Sequence, residues 1–313
     1  MNEIHDVIIV GGGPAGLSAG IYAARARMKA LLIRSAFQPS LITVTDDVEN
    51  YPGFPQGLSG FELIDQLTRQ AERFDLEIMD ADVEKLVRGE DCWELTAAGQ
   101  TLKSLSVIVA TGARPRELAV PGERELTGRG VSYCATCDGP FYRGKDVVVV
   151  GGGDTAVQEA LFLTKFASRV TVIHRRERLR ATGILSERAR QNDRISFEFN
   201  SVVEAIEGEQ GVERLRLKNV LDGSTKQLAA EGAFIFVGYN PATDFAAEVV
   251  DLDKLNYIIT DDEMRTSAEG VFAAGDCRRK LLRQVVTACG DGATAAVAAE
   301  HYVNALKGQT YGA

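Results

Sequence analysis

A chain of 313 residues is long for one ordinary domain and suits two of medium size. Its 45% hydrophobic and 25% charged residues are a globular composition, and a formal charge of −9 gives nucleic acid no global electrostatic attraction. No apolar run approaches the roughly 20 residues that a membrane-spanning helix needs, and five cysteines at irregular spacing (92, 134, 137, 277, 289) do not make a secreted disulfide framework. The first residues carry neither a positive n-region nor an apolar h-region, so the chain is expected to be cytoplasmic, with one purposeful cysteine pair.

The first apolar run is Val7-Ile8-Ile9-Val10, a strand short enough to be buried on both faces. "GGGPAG" (11–16) follows and opens an amphipathic helical segment, after which residues 30–33 form a second strand. A glycine-rich turn between strand and helix has a definite use. The first glycine makes the turn, the second lets backbone approach a pyrophosphate, and the third packs helix on strand. Gly11, Gly13 and Gly16 fit those three places. A hairpin-rich stretch at about 76–105 leads to the buried strand "SVIVATG" (106–112), and the proline-containing "ARPRELAVPG" (113–122) reads as a crossing to a second domain.

The arrangement then repeats at an offset of 140 residues: Val147-Val148-Val149-Val150, "GGGDTA" (151–156), a helix, and a strand at 170–173. Gly151 and Gly153 repeat the first two places, with Ala156 in the third. The residue after the second strand selects the nucleotide: an acid favours a free ribose hydroxyl, arginine a 2′-phosphate. Here the strand ends "IHRRERLRA", and Arg175, Arg176 and Arg180 stand where a 2′-phosphate would lie. By the same rule Arg34 would make the first loop a second 2′-phosphate reader, leaving no electron carrier between two identical donors. "ATGARPR" (110–116) and "AAGD" (273–276) weigh toward a flavin there, with Arg34 against the adenine or in solvent. A second hairpin region (about 195–232), the strand "AFIFVGYNP" (233–241) and a return crossing at Asn240-Pro241 complete the insert. "GVFAAGD" (270–276) and an Ala-rich helix near 285–306 are expected to return to the first domain.

Between the two repeats stands "SYCATCDGP" (132–140). Cys134 and Cys137 could supply two zinc ligands, but no second C-x-x-C follows and His5, His174 and His301 lack ligand spacing, so no metal site is expected. A structural staple closing so short a loop would constrain the unfolded chain little. A redox pair remains, with Asp138 either a proton carrier at the sulfurs or a turn-capping acid. Cys92, Cys277 and Cys289 read as small buried hydrophobes, and Arg278-Arg279-Lys280 as a solvated basic face.

Taken together, "VENYPGF", "VSYCATCDGPFYRGK", "GGGDTAVQEALFLTKFASRVTVIHRRERLRA" and "GVFAAGDCRRKLLRQVVTACGDGATAA" resemble the low-molecular-weight thioredoxin reductases, over essentially the whole chain. The resemblance implies an α/β protein of two Rossmann-like three-layer nucleotide-binding domains, the second inserted into the first. Residues 1–115 and 244–313 would form the FAD domain, and 116–243 the NADPH domain with the redox disulfide. It implies an FAD site of Gly11, Gly13, Pro14, Ala15 and Gly16, with Asn50, Val83, Thr111 and Gly112. Asp276, Arg283, Gln284 and Val285 would complete it, with Arg34 beside them. The NADPH site would use Gly153, Asp154, Thr155 and His174 with Arg175, Arg176 and Arg180. Cys137 would face the flavin and Cys134 would attack thioredoxin or a thioredoxin-like protein, in a homodimer whose inserted domain rotates about crossings near 113–122 and 240–248. The chain departs from the family where Arg34 replaces the usual acid and Pro39-Ser40-Leu41 the usual Gly-Gly-Gln. Competing readings are the same fold with another electron donor, a flavin-dependent dithiol oxidase, and a non-catalytic redox sensor.

Overall fold

A computed structural model describes residues 4–35, 40–45 and 48–309, so Pro39 lies outside the described residues. The chain divides into two compact units, one of residues 1–114 with 240–313 and one of residues 115–239. The first is built on β1 (Ile4–Val10), β2 (Ala30–Arg34), β3 (Glu77–Asp80), β4 (Val83–Arg88), β5 (Trp93–Ala97) and β6 (Gln100–Val109), in sheet order β3-β2-β1-β6-β5-β4. β3, β2, β1 and β6 run parallel; β4, β5 and the first half of β6 form an antiparallel meander. The continuous apolar run of β1 follows from burial on both faces. Val7 and Ile9 enter one core and Ile8 and Val10 the other. α1 (Pro14–Arg25) follows the first glycine loop. α2 (Gly60–Glu72) starts at a capping box in which Ser59 and Glu62 satisfy each other's backbone N–H.

The chain leaves through β7 (Ala113–Pro115). In the second unit β8 (Val131–Ser132) leads to the short helix α3 (Ala135–Asp138), then β9 (Asp146–Val150), α4 (Asp154–Leu163), β10 (Arg169–Ile173) and α5 (Gly183–Arg190). β11 (Ile195–Glu198) and β15 (Gly232–Ile235) complete a parallel sheet in the order β11-β10-β9-β15-β8. β12 (Ser201–Glu207), β13 (Arg214–Asn219) and β14 (Thr225–Ala229) form a separate antiparallel sheet. The valines of β9 again divide between two cores, Val147 and Val149 to one side and Val148 and Val150 to the other. Two α/β units of this kind are what the repeat implied.

The chain returns through β16 (Tyr239–Pro241), which pairs with β7, and adds β17 (Val271–Ala273) parallel to the second half of β6. α6 (Val285–Leu306) then packs on α1. Small residues make that contact: a Cβ on Gly292 would stand 2.0 Å from the Ala15 carbonyl oxygen. Ala288, Ala295 and Ala299 of α6 and Ala15, Ala19 and Ala23 of α1 are buried in one cluster. Close approach rather than bulk holds the pair, and it brings the segment before α6 to the first turn of α1. No helix among the described residues is long and apolar enough to cross a membrane.

Candidate active site

The first glycine loop is shaped by close backbone contacts. A Cβ on Gly11, at φ +123°, would stand 2.2 Å from the Ala110 oxygen, and one on Gly16 would stand 1.8 Å from the Gly11 oxygen. Gly13 caps α1 without any side-chain hydrogen bond, and Pro14 opens the helix with no N–H to satisfy. The positive end of the helix dipole therefore has no side-chain cap among the described residues, an arrangement that suits an anion. Ser40 lies against this loop, its Oγ 3.1 Å from where a Gly13 Cβ would be.

The segment before α6 meets the same turn. Gly275, at φ +77°, lets backbone come so close that a Cβ would stand 2.8 Å from that of Ala15. Next to it, Asp276 Oδ1 is buried with no hydrogen-bond partner among the described residues, and burial holds its carboxyl above the usual range against the pull of Lys280 and Arg283. Arg283 stacks its guanidinium 4.0 Å from the centre of the Tyr257 ring, and its Nε is likewise buried and unpartnered. Gln284 caps α6, just before Val285, and its Oε1 accepts a 2.8 Å bond from Asn50 Nδ2. Thr111 donates to the Ala242 oxygen at 2.6 Å, and Gly112 turns the chain at φ +65°. Val83, at the head of β4, is half-buried against the core beneath β4 and β5.

The second loop is built alike. A Cβ on Gly151, at φ +151°, would stand 2.3 Å from the Phe236 oxygen, and Gly153 caps α4 without a side-chain bond. The segment after β10 is latched onto this loop: Arg180 and Ala181 donate their N–H groups to the Gly152 oxygen at 2.7 and 3.1 Å, and Thr182 N–H to Asp154 Oδ1 at 2.6 Å. Thr155 follows in the first turn of α4. His174 is buried against Gly152 with Nε2 unpartnered among the described residues. Burial, and then Arg180, Arg176 and Arg175, hold its pKa down, so it is neutral near pH 7. Arg175, Arg176 and Arg180 are exposed, and none pairs with a carboxylate among the described residues.

Arg34 takes on a different meaning here. It stands in the first repeat where His174 stands in the second, next after the Ile33 or Ile173 that pairs with the end of the neighbouring strand, and over the middle glycine: a Cβ on Gly12 would meet Arg34 Cβ at 2.6 Å. It is thus not the counterpart of Arg175 or Arg176. Its Nε donates to Asp80 Oδ1 at 2.6 Å, because β2 and β3 are parallel neighbours in which Arg34 and Asp80 share a register position. Sequence inspection missed Asp80. An acid at the end of a neighbouring strand, 46 residues on, leaves no local signature.

Cys134 and Cys137 are joined as a disulfide, with Cα atoms 5.4 Å apart. Cys134 is half-buried and caps α3; its Sγ accepts the Cys137 N–H at 3.0 Å. Cys137 is exposed, and Asp138 closes the helix beside it. Ser132 holds the approach to Cys134, accepting its N–H at 3.0 Å and donating to its carbonyl at 3.1 Å. The chain matches the pyridine nucleotide-disulphide oxidoreductase family model over residues 5–292. It is 47% identical to a thioredoxin reductase of Peptoclostridium acidaminophilum, over 97% of this chain and 99% of that one. It is 46% identical to a bifunctional thioredoxin reductase/thioredoxin of Mycobacterium leprae, over 96% of this chain and 66% of that one. The crystal structure of Lactococcus lactis thioredoxin reductase superposes with a TM-score of 0.93 at 41% identity, covering 96% of this chain and 99% of that one. The chain belongs to the thioredoxin reductases of this family.

Glu123 is fully buried, accepting the N–H groups of Leu118, Ala119 and Val120 and the hydroxyl of Tyr133. One carboxylate thereby ties the end of the first crossing to the residue before Cys134. Burial of Tyr133, and then its bond to Glu123, pushes that phenol well above its usual range, so it stays protonated as the donor near neutral pH. Two cysteines outside the pair are deeply placed. Cys277 is fully buried against the Val109 and Ala274 oxygens, its thiol pushed up to about 11 by desolvation, and Cys92 is buried as well. Cys289 is only half-buried, near the Pro14 oxygen and Tyr51. The basic run 278–280 is not the solvated face expected: Arg278 and Lys280 keep only 12% and 8% side-chain exposure and both pair with Asp291, leaving Arg279 alone in solvent. An acid eleven residues on, carried back by α6, accounts for the difference.

Proposed function

We propose that the protein passes electrons from NADPH through FAD to the Cys134–Cys137 disulfide and on to thioredoxin or a thioredoxin-like protein. The observation that carries this reading is the disulfide at the head of α3, in the same unit as a glycine loop and three exposed arginines that follow its second strand. Bound there, NADPH would supply a hydride, and FAD in the first unit would be the two-electron carrier between it and the disulfide. The side chains fit both groups. In the first unit, the unpartnered Asp276 Oδ1 and Arg283 Nε are an acceptor and a donor that ligand hydroxyls and carbonyls would satisfy. Gly11, Gly13, Pro14, Ala15 and Gly16 would hold the pyrophosphate, with Asn50, Val83, Thr111, Gly112, Gln284 and Val285 around the rest. Arg34, held by Asp80, would stand at the adenosine side. In the second unit, Gly153, Asp154 and Thr155 would meet the pyrophosphate, and His174, Arg175, Arg176 and Arg180 a 2′-phosphate.

The protein's own groups then carry the thiol chemistry. The Cys137 N–H directed at Cys134 Sγ favours the thiolate on Cys134 once the disulfide is reduced. That thiolate attacks a partner disulfide, forming a mixed disulfide and releasing one partner thiolate. Cys137 then displaces the second partner sulfur and closes the Cys134–Cys137 bond again. Asp138 moves the protons that these sulfurs take and give up. The inserted unit turns about its two crossings between steps. Because Glu123 holds residues 118–120 within the insert, the first crossing turns before Leu118.

The Mycobacterium leprae relative, named as a bifunctional thioredoxin reductase/thioredoxin, supports the choice of partner. The exposed Leu281 and Leu282 before α6 and Val286 in its first turn support a homodimer, and the three free thiols support a reducing, cytoplasmic setting. Release of the bound cofactor from purified protein, followed by chromatography, tests the flavin. About one FAD per chain is expected; FMN, or no flavin on folded protein, would refute it.

A further inference from the structure

Asp276 lies within electrostatic reach of two cations, Lys280 and Arg283, yet its buried Oδ1 has no hydrogen-bond partner among the described residues. Buried carboxylates near free ammonium groups ordinarily pair with them. The reason this one does not lies on the next helix. Asp291 accepts Lys280 Nζ at 2.6 Å and the Gly275 N–H at 3.0 Å on Oδ2, and Arg278 Nη1 at 3.2 Å on Oδ1. Arg278 is fixed further by donating to Thr260 Oγ1 at 2.8 Å. All three side chains are nearly buried, Lys280 at 8% exposure and Arg278 and Asp291 at 12%.

We propose that Asp291 is a positioning residue that holds Lys280 and Arg278 away from Asp276 and pins the Gly275 backbone, keeping Asp276 Oδ1 open for a ligand hydroxyl. The inference rests on the reading that FAD occupies the first unit; its ribityl chain would supply the hydroxyl. Without the Asp291 charge, the Lys280 ammonium is left buried and unpaired, and Asp276 is the carboxylate within its electrostatic reach. Lys280 then takes the acceptor that the cofactor needs. A purely structural ion-pair hub would behave differently. Its loss would weaken binding only as far as it weakens the fold, and removing the freed cation would restore nothing.

Flavin-free protein titrated with FAD, followed by quenching of flavin fluorescence and by thermal melting, separates these cases. Asp291→Asn should raise the Kd for FAD by roughly 10- to 100-fold, the cost of one charge-assisted contact. Asp291→Asn combined with Lys280→Met should recover most of that loss, even though its melting temperature stays at or below that of the single variant. A double variant that binds no better than Asp291→Asn would overturn the proposal. Should Asp291→Asn fail to fold, Lys280→Met alone decides. FAD affinity within about threefold of wild type is expected, since Lys280 is already sequestered; a larger loss would make Lys280 a cofactor ligand and overturn the proposal. Wild-type protein that binds no FAD would instead refute the underlying flavin reading.

Discussion

Replacing either active cysteine with serine should abolish disulfide reduction, yet the two variants should trap different species. Cys137→Ser keeps the Cys134 thiol, whose Sγ receives the Cys137 backbone N–H; a serine at 137 still donates that bond. It can attack a partner disulfide but has no second thiol to resolve the product. Incubated with a thioredoxin whose own resolving cysteine has been removed, it should accumulate a mixed disulfide through Cys134. Cys134→Ser should accumulate none, because Cys137 lacks that backbone donor to its sulfur. Intact mass spectrometry and peptide mapping of the adduct read the outcome. An adduct through Cys137 would reverse the roles, and activity in either variant above roughly a thousandth of wild type would remove the pair from the electron path.

The second large effect concerns the choice of nucleotide. Arg175 and Arg176 follow β10, are exposed and have no carboxylate partner among the described residues, so their charge is available to a ligand. Replacing both with alanine should raise KM for NADPH by at least roughly 100-fold, since each charge-assisted contact to a phosphate is worth about 1.5–3 kcal/mol. Turnover with NADH, which has no 2′-phosphate, should change little, and so should the melting temperature, because neither side chain is buried. Steady-state kinetics with both nucleotides check this. Equal losses for NADPH and NADH would mean that the cluster does not read the 2′-phosphate.

Much of this was legible in the sequence because it depends on local pattern. An apolar quartet before a glycine loop is a buried parallel strand followed by a helix, and both repeats, β1 with α1 and β9 with α4, follow that rule. The Ala-rich segment is α6 over Val285–Leu306, and the C-x-x-C segment forms a disulfide at the head of a short helix. What stayed hidden depends on pairs brought together by tertiary structure. Asp80 reaches Arg34 only through strand register, and Asp291 reaches Arg278 and Lys280 only because α6 folds back on the loop before it. Glu123 looks like a surface acid in a proline- and glycine-rich stretch, yet four donors converge on it. The meaning of Arg34 was available earlier. The offset between the repeats sets it opposite His174, a residue that packs on the middle glycine; comparing it with an acid after the strand overlooked that equivalence.

The central claim is that electrons from NADPH reach the Cys134–Cys137 disulfide through a flavin held by the same chain. Anaerobic titration of flavin-loaded protein with NADPH, with alkylation of thiols at each step, tests it directly. Flavin and disulfide each accept an electron pair, so wild type should consume about two equivalents per chain before the flavin absorbance is fully bleached. Cys134 and Cys137 should then be recovered as alkylated thiols, and the double serine variant should consume only about one equivalent. Complete bleaching of wild type by about one equivalent, with the disulfide recovered intact, would contradict the account.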